Sequence, residues 1–198
     1  NNLKVKNTPF SLILPPFFMK MEVMDKMGRL NPKDERYCYE DDWIVLNGSA
    51  EHVLGPLQMD NTLSEAELPV RYLWYSTAFR REAGSYGKDT KGMIRQHQFD
   101  KLEMETFCLP EDGMEEQNLL IAIQEWMMQQ LEIPYQVLIC CTGDMGDCDY
   151  RHIDVEAWIP TQGKYRETHS GDYMTDYQAR RLNIRYKKND WEKGYVHM

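Results

Sequence analysis

No stretch of this 198-residue sequence approaches the roughly 18 to 20 consecutive apolar residues that a membrane-spanning helix needs. The opening "NNLKVKNTPFSLILPPFF" is not laid out as a secretory leader either, because Pro15 and Pro16 break its short apolar run. A soluble, cytoplasmic protein with no membrane partner is expected. Cysteine is scarce, five in all, and the odd number has no framework spacing. Cys140 and Cys141 are adjacent, which on a strand sends them to opposite faces. That excludes a disulfide scaffold and predicts reduced thiols. Positive charge is also short, 23 basic against 32 acidic residues for a net charge of −9, which disfavours holding nucleic acid by bulk electrostatics. Finally, neither G-x-x-x-x-G-K-[ST] nor G-x-G-x-x-G occurs. A bound phosphate would have to be held by side chains on a sheet.

What is present is a chain able to form a packed core. It is 42% apolar, with five tryptophans and 12 tyrosines, and its length suits one domain. The cations are concentrated: Arg80, Arg81, Lys88, Lys91, Arg95 and Lys101 form one cluster and "ARRLNIRYKK" (179–188) a second. Concentrated cations on an acidic chain point to a small anionic ligand.

Patterning predicts α+β architecture, with a mixed, mostly antiparallel sheet flanked by helices. "FSLILPPFF" reads as a proline-ended edge strand, "EVMDKMGRL" as a short helix stopped at Gly28, and "WIVLNGSAEHVLGPL" as strand, turn and helix. "VRYLWYSTAFRRE" and "MIRQHQFDKLEMETFCL" read as two long strands of a hairpin. The clearest helix is "DGMEEQNLLIAIQEWMMQQLEI". Asp112 and Glu115 have capping-box spacing, and Leu119, Leu120, Ile123, Trp126, Met127 and Leu131 form a stripe expected in the core. "YQVLICC" reads as a buried strand, "IDVEAWIP" and "YRETHS" as two more, and "DYQARRLNIRYKK" as a helix entering a strand.

Alternation selects one face of the hairpin. Residues of one parity share a face, so Arg95, Phe99, Lys101 and Glu103 point the same way, with Arg80 and Glu82 sharing a face on the preceding strand. A cation, an aromatic ring and a carboxylate four residues apart, about 13 Å per step, suit an extended ligand with anionic, planar and cationic parts. The same pattern also suits an exposed hairpin laced with ion pairs, and parity leaves both readings open.

"AFRREAGSYGKDTKGMIRQHQFDKLEM" closely resembles motif 2 of the class II aminoacyl-tRNA synthetases, and "REAGSYGKDTKG" with "RQHQFDKLE" is particular to their seryl branch. "GSAEHVLGPL", "CCTGDMG" and "KYRETHSGDYMTDYQARRLNIRYK" resemble further elements of that branch, and "FSLILPPFF" resembles the motif 1 strand used in class II dimers. The likeness runs from about Phe10 to His197. It implies a catalytic core over residues 1–198, shortened at both ends: the family's helical tRNA-binding arm has no counterpart before Asn1, and motif 3, with its second catalytic arginine, none after "KKNDWEKGYVHM".

The resemblance assigns roles residue by residue. Arg80 is similar to the catalytic arginine that grips the α-phosphate and the reacting carboxylate, Glu82 to the reader of the adenine amino group, Arg95 to the γ-phosphate arginine, and Phe99 to the adenine-stacking ring. Glu103 is similar to the acceptor for the serine ammonium. Ser49, where the family usually has threonine, Glu51 and Ser170 fall to the serine pocket, and Glu167 to a metal-binding carboxylate for Mg²⁺. The implied activity is serine–tRNA ligation: serine and ATP give seryl-adenylate, and the seryl group passes to tRNA(Ser), in a homodimer. A ligase that loads an amino acid onto a carrier protein, and a non-catalytic binding or dimerisation module, are the alternatives. Zinc at Cys141, Cys148 and His152 is a weaker candidate, since their spacing is not that of paired knuckles.

Overall fold

The computed structural model describes residues 9–83, 94–189 and 191–198. The glycine-rich segment 84–93, with Lys88, Lys91 and Met93, lies outside them.

The fold is built around a long antiparallel hairpin. β6 (Val70–Phe79) pairs with β7 (Gln98–Phe107) through ten successive residues, from Val70 opposite Phe107 to Phe79 opposite Gln98. Aromatic and β-branched residues favour these strands. β1 (Ser11–Leu12) adds to the other side of β6 in parallel. The expected long second strand is shorter at its start: Ile94 to His97 are bends, because the chain turns before entering the ladder at Gln98. Arg95 therefore reaches the site from outside the strand.

A second antiparallel sheet has the order β8 (Tyr135–Ile139), β9 (Arg151–Ile159), β10 (Lys164–Tyr173), in reverse as β10-β9-β8. Its register shifts between Glu167 and His169, a bulge at the point where side chains turn towards the cleft. β8 corrects an expectation. It is an edge strand with Val137, Leu138 and Ile139 exposed, not a buried one, since no strand covers its outer side among the described residues.

Two small sheets complete the frame. β2 (Phe18–Lys20) and β3 (Cys38–Tyr39) flank β4 (Ile44–Leu46), and β5 (Thr62–Ser64), β11 (Arg185–Lys187) and β12 (Lys193–Tyr195) form the other. The helices are α1 (Met21–Lys26), α2 (Glu51–Leu54), α3 (Gly113–Gln130) and α4 (Tyr177–Leu182). Gly28 follows α1 with φ 75°, a conformation that glycine adopts freely.

Two expectations for α3 are corrected. Asp112 makes no side-chain cap, and the capping box forms instead at Ser64 and Glu67. The apolar stripe is not core either. The buried face of α3 is Glu116, Gln117, Ile121, Gln124 and Met128. Glu116 takes a two-pronged ion pair from Arg71 at 2.6 and 2.7 Å. Gln117 donates to the carbonyls of Arg151 and Gly171, and Gln124 to that of Ser170. Polar groups win the buried face because these carbonyls would otherwise be left without donors. Leu120, Ile123, Trp126 and Met127 instead line a groove of about 450 Å³ between β7 and β10. Among the described residues both strands are terminal in their sheets. The core is accordingly divided into separate clusters, the largest around Met27, Phe107, Leu182, Ile184 and Val196.

Candidate active site

The register of the hairpin places Ala78 opposite Phe99, Ser76 opposite Lys101 and Trp74 opposite Glu103. Phe99, Lys101, Glu103 and Glu105 are more buried than Gln98, Asp100 and Leu102, so the odd face of β7 is the one turned inward. Arg80 continues this face, its backbone N–H donating to the His97 carbonyl at 3.0 Å. Its guanidinium lies over the Phe99 ring, 5.3 Å from the centroid, and Nε donates to the Gly48 carbonyl at 2.8 Å.

The turn between β4 and α2 is fixed from several sides. Asn47 takes the Phe79 N–H on its carbonyl at 2.8 Å and donates Nδ2 to the Thr77 carbonyl. Gly48 N–H donates to His52 Nδ1 at 3.1 Å. His52 is an acceptor because burial drives its pKa down to about 3, with Arg36, Arg29 and Lys101 adding to the effect. This rigid turn holds Ser49 against the hairpin. Ser49 Oγ donates to Glu103 at 2.8 Å and receives Lys101 Nζ at 2.8 Å, and Lys101 pairs with Glu103 at 2.9 Å.

A cleft of about 430 Å³ opens beside this cluster, lined by Arg29, Arg36, Ser49, Glu51, Arg80, Glu82, Arg95, Lys101, Ser170 and Asp172 among others. Arg95 and Glu82 meet across its rim at 2.6 Å, beyond the last paired residues of the hairpin, Phe79 and Gln98. On its floor Arg29 pairs with Glu51 at 2.7 Å. Burial alone would raise the Glu51 pKa, but the charges around it, Arg29 foremost with Lys101 adding to it, together outweigh burial and hold the carboxyl down at about 2.

Sequence reasoning thus located Arg80, Glu82, Arg95, Phe99, Ser49, Glu103, Glu51 and Ser170 around one region. Phe99 backs Arg80 and does not line the cleft, and Glu103 faces the groove through which it holds Ser49. Glu167 stands apart at the β10 bulge, its pKa raised by loss of water and by Asp154.

Several charged residues went unassigned in the sequence. Lys101 was on the selected face and its parity was the available signal. Arg29 and Asp172 gave none, and His152 was singled out only as a weak zinc candidate, since the three lie far apart in the chain. They form a relay that starts in the cleft lining: Arg29 lies 3.7 Å from Asp172, and His152 is set among Asp172 at 2.7 Å, Asp154 at 2.8 Å and Asp149 at 3.5 Å. The carboxylates packed around it, Asp149 and Asp172 foremost, push the His152 pKa up to about 11, making it an imidazolium. The cysteine close to this histidine is Cys140, through Asp154, while Cys141 is exposed. The grouping of Cys141, Cys148 and His152 weighed for zinc does not occur among the described residues.

An antiparallel hairpin that presents arginines and a carboxylate to a cleft, with an aromatic ring stacked behind one arginine and a serine turn bracing it, defines the class II synthetase core. The family model of the tRNA synthetase class II core domain (G, H, P, S and T) matches residues 37–198, and the chain belongs to that family. Its similarity is to the serine members. The serine–tRNA ligase of Sulfurihydrogenibium sp. (strain YO3AOP1) is 43% identical over 99% of this chain and 47% of that protein. The crystal structure of seryl-tRNA synthetase from Pyrococcus horikoshii complexed with ATP superposes with a TM-score of 0.92 at 40% identity, covering 98% of this chain and 44% of that one. The cytoplasmic serine–tRNA ligase of Naegleria fowleri in complex with AMP gives 0.88 at 34% identity, over 95% and 46%. The chain therefore spans about half the length of the relatives it matches.

Proposed function

We propose that this chain carries the adenylate-forming site of a serine–tRNA ligase. The observation that supports it most is the convergence of Arg80, Ser49, Lys101 and Glu103 at one end of a cleft rimmed by Glu82 and Arg95. The serine carboxylate attacks the α-phosphorus of ATP, the bond to the departing pyrophosphate breaks, and the adenylate forms. The terminal ribose hydroxyl of tRNA(Ser) then attacks the seryl carbonyl and releases AMP. No protein nucleophile is needed, and catalysis rests on positioning two anions and neutralising their charge.

Arg80 takes the α-phosphate and the reacting carboxylate with the guanidinium nitrogens that its Nε anchor leaves free. Phe99 supports the adenine, Glu82 accepts from the adenine amino group, and Arg95 turns to the γ-phosphate. The Arg95–Glu82 pair rehearses both contacts, and opening it on binding costs little because the pair is solvent-accessible. Glu103 holds the serine ammonium in place of Lys101, with the Ser49 hydroxyl, Glu51 and Ser170 completing the pocket. A buried site built for a hydroxyl rejects alanine because its polar groups are then left unpaired. Glu167 would hold Mg²⁺: a hard carboxylate crowded by Asp154 fits such a cation, which supplies charge neutralisation on the phosphates.

The exposed Leu12, Leu14, Phe17 and Phe18 support a homodimer through the β1–β2 region. Among the described residues no helix is long and apolar enough to cross a membrane, and the free cysteines suit a reducing, cytoplasmic setting. Serine-dependent ATP–pyrophosphate exchange tests the reading, and its absence at high protein concentration rejects it for this chain. Arg80→Ala is expected to lower exchange by two orders of magnitude or more, on the order of the loss from one oxyanion donor. Charging tRNA(Ser) versus a carrier protein separates the two ligase classes.

A further inference from the structure

Among the described residues five cations line the cleft: Arg29, Arg36, Arg80, Arg95 and Lys101. Three are neutralised within the fold, Arg29 by Glu51, Arg95 by Glu82 and Lys101 by Glu103. Arg36 and Arg80 have no carboxylate ion pair among the described residues. Each is anchored in the same way, by Nε on a backbone carbonyl: Arg36 on Arg29 at 3.1 Å and Arg80 on Gly48 at 2.8 Å. The terminal nitrogens of both forks are thereby left for something else.

The two arginines also converge on one backbone position. A Cβ on Gly48 would lie 3.4 Å from Arg36 Nη1, while the Gly48 carbonyl holds Arg80. Burial and the neighbouring Arg80 both lower the proton affinity of Arg36. The groups around the pair are Glu35, Glu51, Arg29 and a neutral His52. Of these, Glu51 is committed to Arg29, and the Glu35 and Glu51 charges offset part of the repulsion on Arg36 without forming an ion pair with it among the described residues. Two half-buried guanidiniums side by side repel, and an anion seated between them removes that cost. Planar forks of this kind suit a phosphoryl group, because each supplies parallel N–H donors.

We propose that Arg36 and Arg80 form a two-arginine subsite for the phosphoryl group of the nucleotide, on either side of Gly48. The proposal rests on the nucleotide reading of the cleft and adds Arg36 to it as a ligand-binding residue. Arg36 contacts a phosphoryl oxygen with its terminal nitrogens while its Nε stays on the Arg29 carbonyl.

The test is calorimetric binding of AMP, adenosine and inorganic pyrophosphate to the full chain and to Arg36→Gln, Arg36→Lys and Gly48→Ala. Arg36→Gln should weaken AMP and pyrophosphate by about tenfold or more, as loss of a charge-assisted hydrogen bond implies, and leave adenosine within about twofold. Arg36→Lys keeps the charge without the fork and should recover only part of the loss; it carries the test if Arg36→Gln does not fold. Gly48→Ala, whose methyl would only touch Arg36 Nη1 at 3.4 Å, should weaken AMP and pyrophosphate less than Arg36→Gln does. Equal weakening of AMP and adenosine would make Arg36 a support for its loop and overturn the proposal, as would unchanged binding of all three ligands. If pyrophosphate binds in an Arg36-dependent way but AMP and adenosine do not bind, the nucleotide reading falls and the anion subsite stands. If the wild-type chain binds none of the three, both fall.

Discussion

The charged cleft and the apolar groove are nearly equal in size, about 430 and 450 Å³, and Glu51, Lys101, Ser170 and Asp172 border both. They are organised in opposite ways. In the cleft most charged groups already hold one another, so the positions of Arg29, Glu51, Lys101 and Glu103 are set without a ligand. In the groove the apolar stripe of α3 lies between the terminal strands of two sheets and has no further layer against it among the described residues. The cleft therefore depends on directional polar contacts, each with a large cost if one partner is lost. The groove depends on apolar contact that is incomplete, and single changes there should cost little.

The largest effect expected from this contrast is on the cleft side. Arg29→Ala leaves the largely buried Glu51 without its cation, while Asp172 keeps His152. Removing one partner of a buried pair costs about 3 kcal/mol, a shift of about 1 M in the urea midpoint for a domain of this size. A loss below about 1 kcal/mol would place the floor of the cleft in the surface-pair class and break the comparison.

The same contrast explains what was legible in the sequence. Parity gave the face of β7 because a strand repeats every two residues, and the structure confirms Phe99, Lys101 and Glu103 as inward. The hairpin, α3 and the strands β9 and β10 followed from patterning. The α3 stripe misled for a physical reason: periodicity shows that residues share a face, not what that face meets. Here Glu116, Gln117 and Gln124 were needed on the other face by β6, β9 and β10. β8 misled in the same way, since an apolar run does not say whether a neighbouring strand is present. The Arg29–Asp172–His152 relay was invisible because its members come from α1's end, β10 and β9. Roles for single residues came from family resemblance and from nothing in composition or spacing.

A pH series separates the relay from the turn. The folded His152 pKa is raised to about 11, so its stabilisation is complete below the ordinary histidine range near 6.5 and is lost as pH rises towards 11. His52 has the opposite sign. Its folded pKa is lowered to about 3, so the unfolded chain binds the extra proton and stability falls as pH drops from about 6.5 towards 3. Glu51, held at about 2, adds to the acid-side loss from about pH 4.5 downwards. Thermal midpoints should therefore peak near pH 6 to 7. His152→Gln should flatten the alkaline limb and His52→Gln the acid limb between pH 6.5 and 4.5. If either variant leaves its limb unchanged, that histidine is not the titrating group.

The smallest effect should come from the groove, and its smallness is the informative part. Trp126→Ala in a closed core costs about 3 to 5 kcal/mol. Trp126 is only half-buried and faces the groove, so about 1 kcal/mol is expected from its partial burial. The groove should also bind an environment-sensitive apolar dye, and Ile123→Glu should abolish that signal with little change in the urea midpoint. A cost of 3 kcal/mol or more for Trp126→Ala, together with no dye binding, would mean that the stripe is packed after all. The two regions would then differ in polarity but not in how completely each is held.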